Sequence, residues 1–256
     1  MNRATNAVIE FGAMTRLCCT RYERLARQSG WMRICGIDEA GRGSLFGPVV
    51  AAAVVLNPRR RIVGLDDSKK LTHDRRTELA GRIREHALAW AVAEIDASRI
   101  DAWNIYQASR QAMVAAVEGI RPTPDYLLVD AMELPLPLEQ KSLIHGDARS
   151  VSIAAASILA KVERDRLMDE FDQMYPQYGL GSNRGYSTPD HLEALRRYGP
   201  TPLHRFSYAP VREATCWAAH ATQEALPLAQ TSVSPTTSQD PGSSSSTAPL
   251  SAAAHE

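Results

Sequence analysis

Four carboxylate side chains stand where predicted strands or helices end, and their types and spacing suit them to metal-dependent chemistry. Asp38 and Glu39 follow one predicted strand, Asp130 ends another, and Asp147 lies just before a long helical pattern. Taken alone, each has an ordinary explanation: a solvated strand end for the pair, a turn or cap for Asp130, and a helix N-cap for Asp147. Crowded carboxylates, however, repel one another unless a cation joins them, and hard oxygen ligands select Mg²⁺ or Mn²⁺. Together the four predict a site where two divalent ions could activate a water and stabilise the leaving 3′-oxygen of a phosphodiester.

A glycine-rich turn, Gly41-Arg42-Gly43, directly follows the first two carboxylates. Glycines let backbone amides approach a ligand closely, and successive N–H groups can hold a phosphate or a hydroxyl. A single Gly-x-Gly is also a common tight turn. Its position just after Asp38 is what favours a part in the same site.

The elements predicted around these residues form an α/β structure with a mixed sheet. Three leading strands would form an antiparallel meander, and later strands would add in parallel through helical crossovers. Sites in open sheets lie beyond the carboxyl ends of the strands, which is where the acids stand. The predicted strands are 33–38, 48–56, 87–96, 126–130 and 141–145; the predicted helices are 15–28, 72–86, 98–119 (starting with a capping box, Ser98 to Asp101) and 150–171, with one more opened by Thr188-Pro189-Asp190.

Three zones divide the chain. Residues 1–31 form a lead-in with a short helix, and residues 32–214 hold nearly all the periodic structure. The last zone, 215–256, is rich in Ser, Thr, Pro and Ala, and we expect it to be disordered because it cannot bury enough apolar surface. The 29 basic and 29 acidic residues give a net charge of +0, but 216–256 contains three acids and no Lys or Arg. Residues 1–215 therefore carry 29 basic and 26 acidic side chains, a weak basic excess.

Composition also argues against several classes of protein. The four cysteines form no CxxC pair and no zinc-binding spacing, which fits reduced thiols. No run of 18 apolar residues predicts a membrane span, and the N-terminus lacks the pattern of a signal peptide. These features predict a cytoplasmic protein with an intracellular substrate.

Five ordered motifs, spread over about 31–212, closely resemble those of the ribonuclease HII family. The third of them is the strand end at Val129-Asp130. The other four are Ile37-Asp38-Glu39-Ala40-Gly41-Arg42-Gly43 with Gly47-Pro48-Val49-Val50; Asp67-Ser68-Lys69-Lys70-Leu71; Gly146-Asp147-Ala148-Arg149 with Ile153–Lys161 and Arg164-Asp165; and Gly185-Tyr186-Ser187-Thr188 with His191, Gly199 and His204-Arg205.

The resemblance implies a ribonuclease H-like fold, with a mixed sheet flanked by helices and further helices at the C-terminal end. It also implies cleavage of the RNA strand of RNA–DNA hybrids and of duplex DNA containing ribonucleotides, giving a 3′-hydroxyl and a 5′-phosphate. Tyr186 would pack on the sugar and sense the 2′-hydroxyl, the group that distinguishes RNA from DNA. Asp38, Glu39, Asp130 and Asp147 would be the catalytic metal ligands for two Mg²⁺ or Mn²⁺ ions; Gly41, Arg42 and Gly43 would contact the ribose and phosphates; and Ser68, Lys69 and Lys70, with Arg149 and Arg184, would hold phosphates.

Several positions depart from the family pattern. Ser44 replaces a common Pro, Ala131 a common Gly, and Arg184 a common Lys. Arg42 and the short lead-in favour ribonuclease HII over its sister group, ribonuclease HIII, which usually has Lys at that position and an extra N-terminal domain. No motif for binding sliding clamps is recognised, and we expect a monomer.

Two other functions stay open at this point: a module that binds hybrids without cutting them, and another two-metal nuclease of the same fold. Bland interpretations also stay open for individual residues. Lys161 and Arg164 could form only surface pairs with Asp165 and Asp169 on one helix. His145 and His204 fit structural histidines better than metal ligands.

Overall fold

The structure is a computed structural model that describes residues 18–215. The prediction of a disordered tail therefore lies outside the described residues except at its first position. The same holds for the start of the helix predicted over 15–28. Within the described part of the chain, that helix begins later than predicted, at Arg21.

One five-stranded sheet organises the molecule, with the strand order β3-β2-β1-β4-β5. β1 pairs antiparallel with β2, and β2 with β3, whereas β1–β4 and β4–β5 are parallel pairs. This is the predicted meander followed by parallel additions. The strands are β1 (Ile34–Ala40), β2 (Val49–Val55), β3 (Ala89–Ile95), β4 (Tyr126–Asp130) and β5 (Glu139–Leu143), the last beginning before its predicted start.

Helices cover both faces of the sheet and extend beyond one end of it. Short 3₁₀ turns lie at Ser68–Lys70, Gly146–Ala148 and Pro176–Tyr178, and residues 209–215 are also helical. The α-helices are α1 (Arg21–Gln28), α2 (His73–His86), α3 (Ala97–Trp103), α4 (Ile105–Gly119), α5 (Val151–Met174), α6 (Leu180–Asn183) and α7 (Pro189–Tyr198).

The prediction of a single helix over 98–119 is wrong, because Asn104 divides this segment into α3 and α4. Asn104 has φ +69°, and its side chain accepts a hydrogen bond from the Gln107 amide at 3.1 Å. Asparagine tolerates the left-handed region and is a strong N-cap, so it can end one helix and start the next. The predicted capping box at Ser98 is wrong as well, since Asp96 caps α3 by accepting from the Arg99 amide.

α5 packs closely on β1, and this contact sets the direction of the end of the strand that carries Asp38. A Cβ atom at Gly36 would lie 2.0 Å from the Ser152 carbonyl carbon, so only glycine allows the approach. Ala154, Ala155 and Ala156 are fully buried at the same contact. Since side chains alternate along a strand, Asp38 points to the same face as Gly36, toward α5.

The C-terminal helices share their own apolar cluster, which joins them to the loop between β1 and β2. Phe46 from that loop is fully buried against Met168 of α5, and Tyr178, Leu195 and Val211 belong to the same cluster. The segment that carries Tyr186 is thereby fixed beside the glycine turn. Among residues 18–215, no helix is both long and apolar enough to cross a membrane.

Candidate active site

The backbone brings three of the four predicted carboxylates to one edge of the sheet. Ile37 of β1 is in register with Val129 of the parallel β4, so the next residues, Asp38 and Asp130, lie side by side on strands about 4.8 Å apart. Asp130 Oδ1 accepts a hydrogen bond from the Gly146 amide at 2.6 Å. That bond draws in the 3₁₀ turn that carries the buried Asp147.

Burial and mutual repulsion make negative charge costly at this edge, which we call the acidic edge, and raise the pKa values of its carboxyl groups. Burial raises the pKa of Asp38 well above its usual range, and the charges of Glu39 and Asp130 raise it further. The pKa values of Glu39 and Asp130 are also raised, in both cases first by burial. A hydrogen bond from Ser157 opposes the shift at Asp38. A cation would relieve this accumulated cost of buried negative charge.

Protein cations contact two of the acids. Arg42 Nη1 lies 3.2 Å from Glu39 Oε1, and Lys69 Nζ lies 3.2 Å from Asp147 Oδ2. In this arrangement of side chains, no group of three or more His, Cys, Asp or Glu residues within 18–215 is placed to hold a metal ion. The donor set nevertheless fits a hard divalent cation, since Glu39 Oε2 is buried and has no hydrogen-bond partner among the described residues. Glu39 could offer this oxygen to an ion while its other oxygen keeps the contact with Arg42.

The glycine turn faces Tyr186, as a sensor of the sugar would require. A Cβ atom at Gly43 would lie 3.9 Å from Tyr186 Cε1, while the tyrosine itself is 39% exposed. Among residues 18–215, the amides of Arg42 and Gly43 donate to no protein acceptor, so both are free to bind a ligand. The predicted turn and the predicted tyrosine therefore form two walls of one gap.

Two buried arginines support these walls from behind. Arg164 donates to Ser44 Oγ at 2.7 Å and lies 5.5 Å from the centre of the Tyr186 ring, and burial lowers its pKa to about 10. Arg205 donates to the Arg42 carbonyl at 2.9 Å. The surface-pair interpretation of Arg164 is wrong, because the residue is fully buried. Ser44 is itself buried, and its hydroxyl donates to the Phe46 carbonyl, so the departure from Pro adds a link between the arginine and the loop.

A pair of buried histidines fixes the backbone of Tyr186. His204 Nδ1 accepts from the Thr201 amide at 2.9 Å, which places the proton of the neutral ring on Nε2. His204 Nε2 then donates to His191 Nε2 at 3.2 Å, and His191 Nδ1 donates to the Tyr186 carbonyl at 3.0 Å. Burial lowers the pKa of His204 to about 3 and also lowers that of His191, which keeps both rings neutral. The prediction of a structural role for His204 is confirmed.

The predicted phosphate ligands fall into three groups: exposed lysines, arginines that other residues hold in place, and the buried Ser68. Lys69 is well exposed beside Asp147, and Lys70 is exposed with an ion pair to Asp66. Arg149 and Arg184 are held by the protein, Arg149 by Tyr22 and the Ile144 carbonyl and Arg184 by Asp169 and the Asp165 carbonyl.

Ser68 is the predicted residue whose place differs most from expectation. It is only 4% exposed, and its hydroxyl is 2.9 Å from the hydroxyl of Ser157, the residue that hydrogen-bonds Asp38. The structure thus places Ser68 behind the acidic edge rather than on an open surface. The sequence did not single out Ser157, Arg205 or His191 for these supporting contacts, because their types are ordinary and only the fold shows what they touch.

Comparisons with known proteins identify the family and the fold. The family model for ribonuclease HII matches residues 35–211. Curated proteins named ribonuclease HII include one from Koribacter versatilis, 57% identical over 209 residues that cover 82% of this chain and 80% of the relative. Another, from Geobacillus thermodenitrificans, is 58% identical over 76% of this chain and 75% of the relative. The crystal structure of ribonuclease H2 from Pyrococcus horikoshii superposes with a TM-score of 0.63 at 27% identity, covering 72% of this chain and 97% of that one. The chain therefore belongs to the ribonuclease HII family, the enzymes of the ribonuclease H type that act as endoribonucleases.

Proposed function

We propose that this enzyme hydrolyses the RNA strand of RNA–DNA hybrids and incises duplex DNA on the 5′ side of embedded ribonucleotides, leaving a 3′-hydroxyl and a 5′-phosphate. The observation that carries the proposal is the position of the gap between Gly43 and Tyr186. The glycine side of this gap follows the carboxylates of the acidic edge directly in the chain. A strand whose scissile phosphate lies at the carboxylates would present its sugar to that gap. We further propose a role in ribonucleotide excision repair and RNA primer removal.

The acidic residues would act as a unit. Asp38, Glu39, Asp130 and Asp147 would hold Mg²⁺ or Mn²⁺, which when bound supplies the positive charge that activates a water and stabilises the leaving 3′-oxygen. The Gly146 amide orients Asp130, and Ser157 lies close enough to Asp38 to lower the pKa of that carboxyl. Lys69 is placed to leave Asp147 and contact a substrate phosphate.

Uncharged groups, namely the backbone amides of the glycine turn and the ring of Tyr186, would supply the preference for ribose. The free amides of Arg42 and Gly43 can donate to the 2′-hydroxyl or to an adjacent phosphate, and the Tyr186 ring offers an apolar face to the sugar. Arg164 and Arg205 prevent the two walls from drifting apart, since each ties the loop to the C-terminal segment. Discrimination by such a site depends on geometry that is fixed before the substrate binds.

A cleavage assay tests the proposal. A duplex with one embedded ribonucleotide is incubated with the enzyme and Mg²⁺ or Mn²⁺, beside an all-DNA duplex of the same sequence. We expect incision 5′ of the ribonucleotide and no cut in the control. Binding without a metal-dependent product would favour a hybrid-binding module, and cleavage of all-DNA duplex would favour a less selective nuclease.

Asp38→Asn is the matched test of the acidic edge. The amide keeps the shape of the side chain but removes a buried charge, so we expect cleavage to be abolished. The free energy of unfolding, measured with urea in EDTA, should be retained or should rise, because repulsion from Glu39 and Asp130 is relieved. Normal turnover in this variant would contradict the proposed role.

A further inference from the structure

A second strongly charged surface lies outside the candidate active site, between α1 and the loop that follows β2. It borders a cavity of about 730 Å³ with an apolar floor that includes Ile62 and Leu65. We call it the arginine cleft, after the four arginines that line it: Arg24 and Arg27 from α1, and Arg60 and Arg61 from the loop. Within the described part of the chain, Glu23 is the one acid that lines it.

Within the described residues, the arginine cleft has four cationic side chains and no ion pair to any of them. Among residues 18–215, none of its four arginines has a carboxylate within 4 Å. Several arginines on other helices are paired, as in Arg75–Glu78 of α2 and Arg166–Glu163 of α5. Like charges placed three residues apart on one helix repel each other, so this arrangement would favour the binding of an anion.

Glu23 leaves most of the charge of the arginine cleft unbalanced, because it is one carboxylate among four arginines and is hydrogen-bonded to the start of α5. It is 2% exposed, and its Oε1 accepts from the Ser150 hydroxyl at 2.5 Å and from the Ser152 amide at 3.0 Å. The carboxylate thus satisfies the first turn of α5 and anchors α1 to that helix. Glu23 therefore acts mainly as a structural contact between α1 and α5 rather than as an ion-pair partner of the arginines.

Both walls of the arginine cleft are fixed in place. Glu23 anchors the α1 wall, and Asn57 holds the other by accepting from the Arg59 amide through its side chain at 2.9 Å and from the Arg60 amide through its carbonyl at 3.1 Å. Ile62 and Leu65 bury the far end of the loop in the core. The guanidinium groups are therefore presented by an ordered frame, which lowers the entropy lost when they bind.

Both walls of the arginine cleft are connected to the acidic edge, one by contacts of α1 and the other along the chain. α1 is fastened to the start of α5, one turn after Asp147, and Cys19 beside it bridges to Ser150. The loop of the other wall runs on to Lys69, whose ammonium contacts Asp147. A long polyanion that reaches the acidic edge could continue onto this surface, whereas a small anion would not need charges on two separate segments.

We propose that the arginine cleft binds backbone phosphates of the substrate duplex on one flank of the scissile phosphate. This inference rests on the proposed function, and it adds a contact that the catalytic residues do not provide. Phosphate contacts of this kind position a duplex without reading its sequence. They also make binding depend on salt, because each neutralised phosphate releases counterions.

The test compares duplexes of different length. A short duplex of about 10 base pairs, one helical turn, carries a central ribonucleotide, and two longer ones extend it by a further turn on one side or the other. Binding is followed by fluorescence anisotropy in EDTA over a range of salt concentrations. The variants are Arg24→Gln with Arg27→Gln, and Arg60→Gln with Arg61→Gln. The control is Arg99→Gln with Arg196→Gln, which removes the same charge from exposed positions on α3 and α7.

For the wild-type enzyme, extension on one side should tighten binding and extension on the other should not. Each cleft variant should bind the favoured long duplex about tenfold more weakly at low salt, with a log–log salt slope shallower by about 0.9 per lost phosphate contact. Affinity for the short duplex and cleavage of it should be unchanged, and the control should resemble the wild type.

The outcomes separate this inference from the proposed function. If the wild type incises the ribonucleotide duplex but the cleft variants keep its length dependence and salt slope, the arginine cleft does not bind substrate. A loss that is equal on short and long duplexes would also overturn the inference, since it would indicate a general effect of charge. If the wild type cuts nothing, the proposed function fails. Thermal unfolding of each variant checks that these exposed substitutions leave the fold intact.

Discussion

Two glycines of one turn have different tasks at the level of single residues. Gly41 has φ +93°, and a Cβ atom there would lie 1.9 Å from Arg164 Nε, inside the buried support. A Cβ atom at Gly43 would meet only Tyr186, at 3.9 Å, which is ordinary van der Waals contact. Gly41 is therefore required by the fold, whereas the absence of a side chain at Gly43 keeps the gap beside Tyr186 open.

Gly43→Ala and Gly41→Ala should consequently separate activity from stability. Gly43→Ala should change the free energy of unfolding by less than about 0.5 kcal/mol. Its methyl group would occupy the sugar gap and lower kcat/KM on a single-ribonucleotide duplex about tenfold, the equivalent of about 1.4 kcal/mol. Gly41→Ala should lose about 1–3 kcal/mol of stability from backbone strain alone. Urea unfolding and steady-state cleavage measure both, and full activity in a folded Gly43→Ala enzyme would contradict the proposed gap.

The roles of individual polar residues show where prediction from sequence stops. The common location of Asp38, Glu39 and Asp130 at one sheet edge can be predicted from their types and spacing, because the ends of two parallel strands lie at the same edge. The sequence alone could not show how the positions of Ser68 and Ser157 differ relative to the acidic edge. Both are small hydroxyl residues, and only the packing of the Ser68–Lys70 turn on α5 shows that one of them contacts Asp38 and the other its partner.

At the level of elements, the histidine pair connects α7 to the loop that carries Tyr186, and it does so only while both rings are neutral. Burial lowers the pKa of His204 to about 3, below its ordinary value of 6.5. A group with a depressed pKa in the folded state stabilises the fold above the pKa of the unfolded chain. That stabilisation is lost as pH falls toward the folded value.

Between pH 7 and pH 5, His204 should therefore cost the protein about 2 kcal/mol of its free energy of unfolding. His204→Asn keeps an acceptor near the position of Nδ1 for Thr201, loses the contact with His191 and does not titrate. Its stability should therefore be lower than that of the wild type at pH 7 but should fall less between pH 7 and pH 5. The measurement is a series of urea unfolding curves for both proteins. The raised pKa values of the carboxylates act in both, and the difference between the curves isolates His204. Parallel curves would show that the buried ring is not held neutral.

Boundaries between elements were harder to predict than the elements themselves. The order of strands and the mixed sheet follow from periodicity, whereas the break at Asn104 depends on one residue adopting a left-handed conformation. Apolar periodicity continues across that break, so the pattern alone favoured one helix. The asparagine was a usable signal, because it combines tolerance of positive φ with a strong preference for helix N-caps.

At the scale of the whole molecule, the C-terminal segment is part of the candidate site rather than an appendage. The Leu45 amide donates to the Gly185 carbonyl, and the Gly47 amide donates to the Leu203 carbonyl. Arg205 adds hydrogen bonds to the carbonyls of Arg42 and Gly47. The sequence motifs indicated that these segments matter, but the contacts join residues about 160 positions apart in the chain, and no local pattern encodes such pairs.

Arg205→Lys tests whether this coupling sets the activity. Lysine keeps the charge but lacks the planar fork that reaches two carbonyls, so one buried acceptor would lose its partner. We expect a loss of about 1–3 kcal/mol in the free energy of unfolding and faster amide exchange at Leu45 and Gly47. We also expect cleavage to fall between about 10-fold and 100-fold, because a displacement of about 1 Å in a positioning loop has effects of that size. Arg212→Lys, at an exposed position of the same segment, is the control and should match the wild type. If Arg205→Lys speeds exchange at the two amides yet cleaves at the normal rate, activity does not depend on the buried support of the turn.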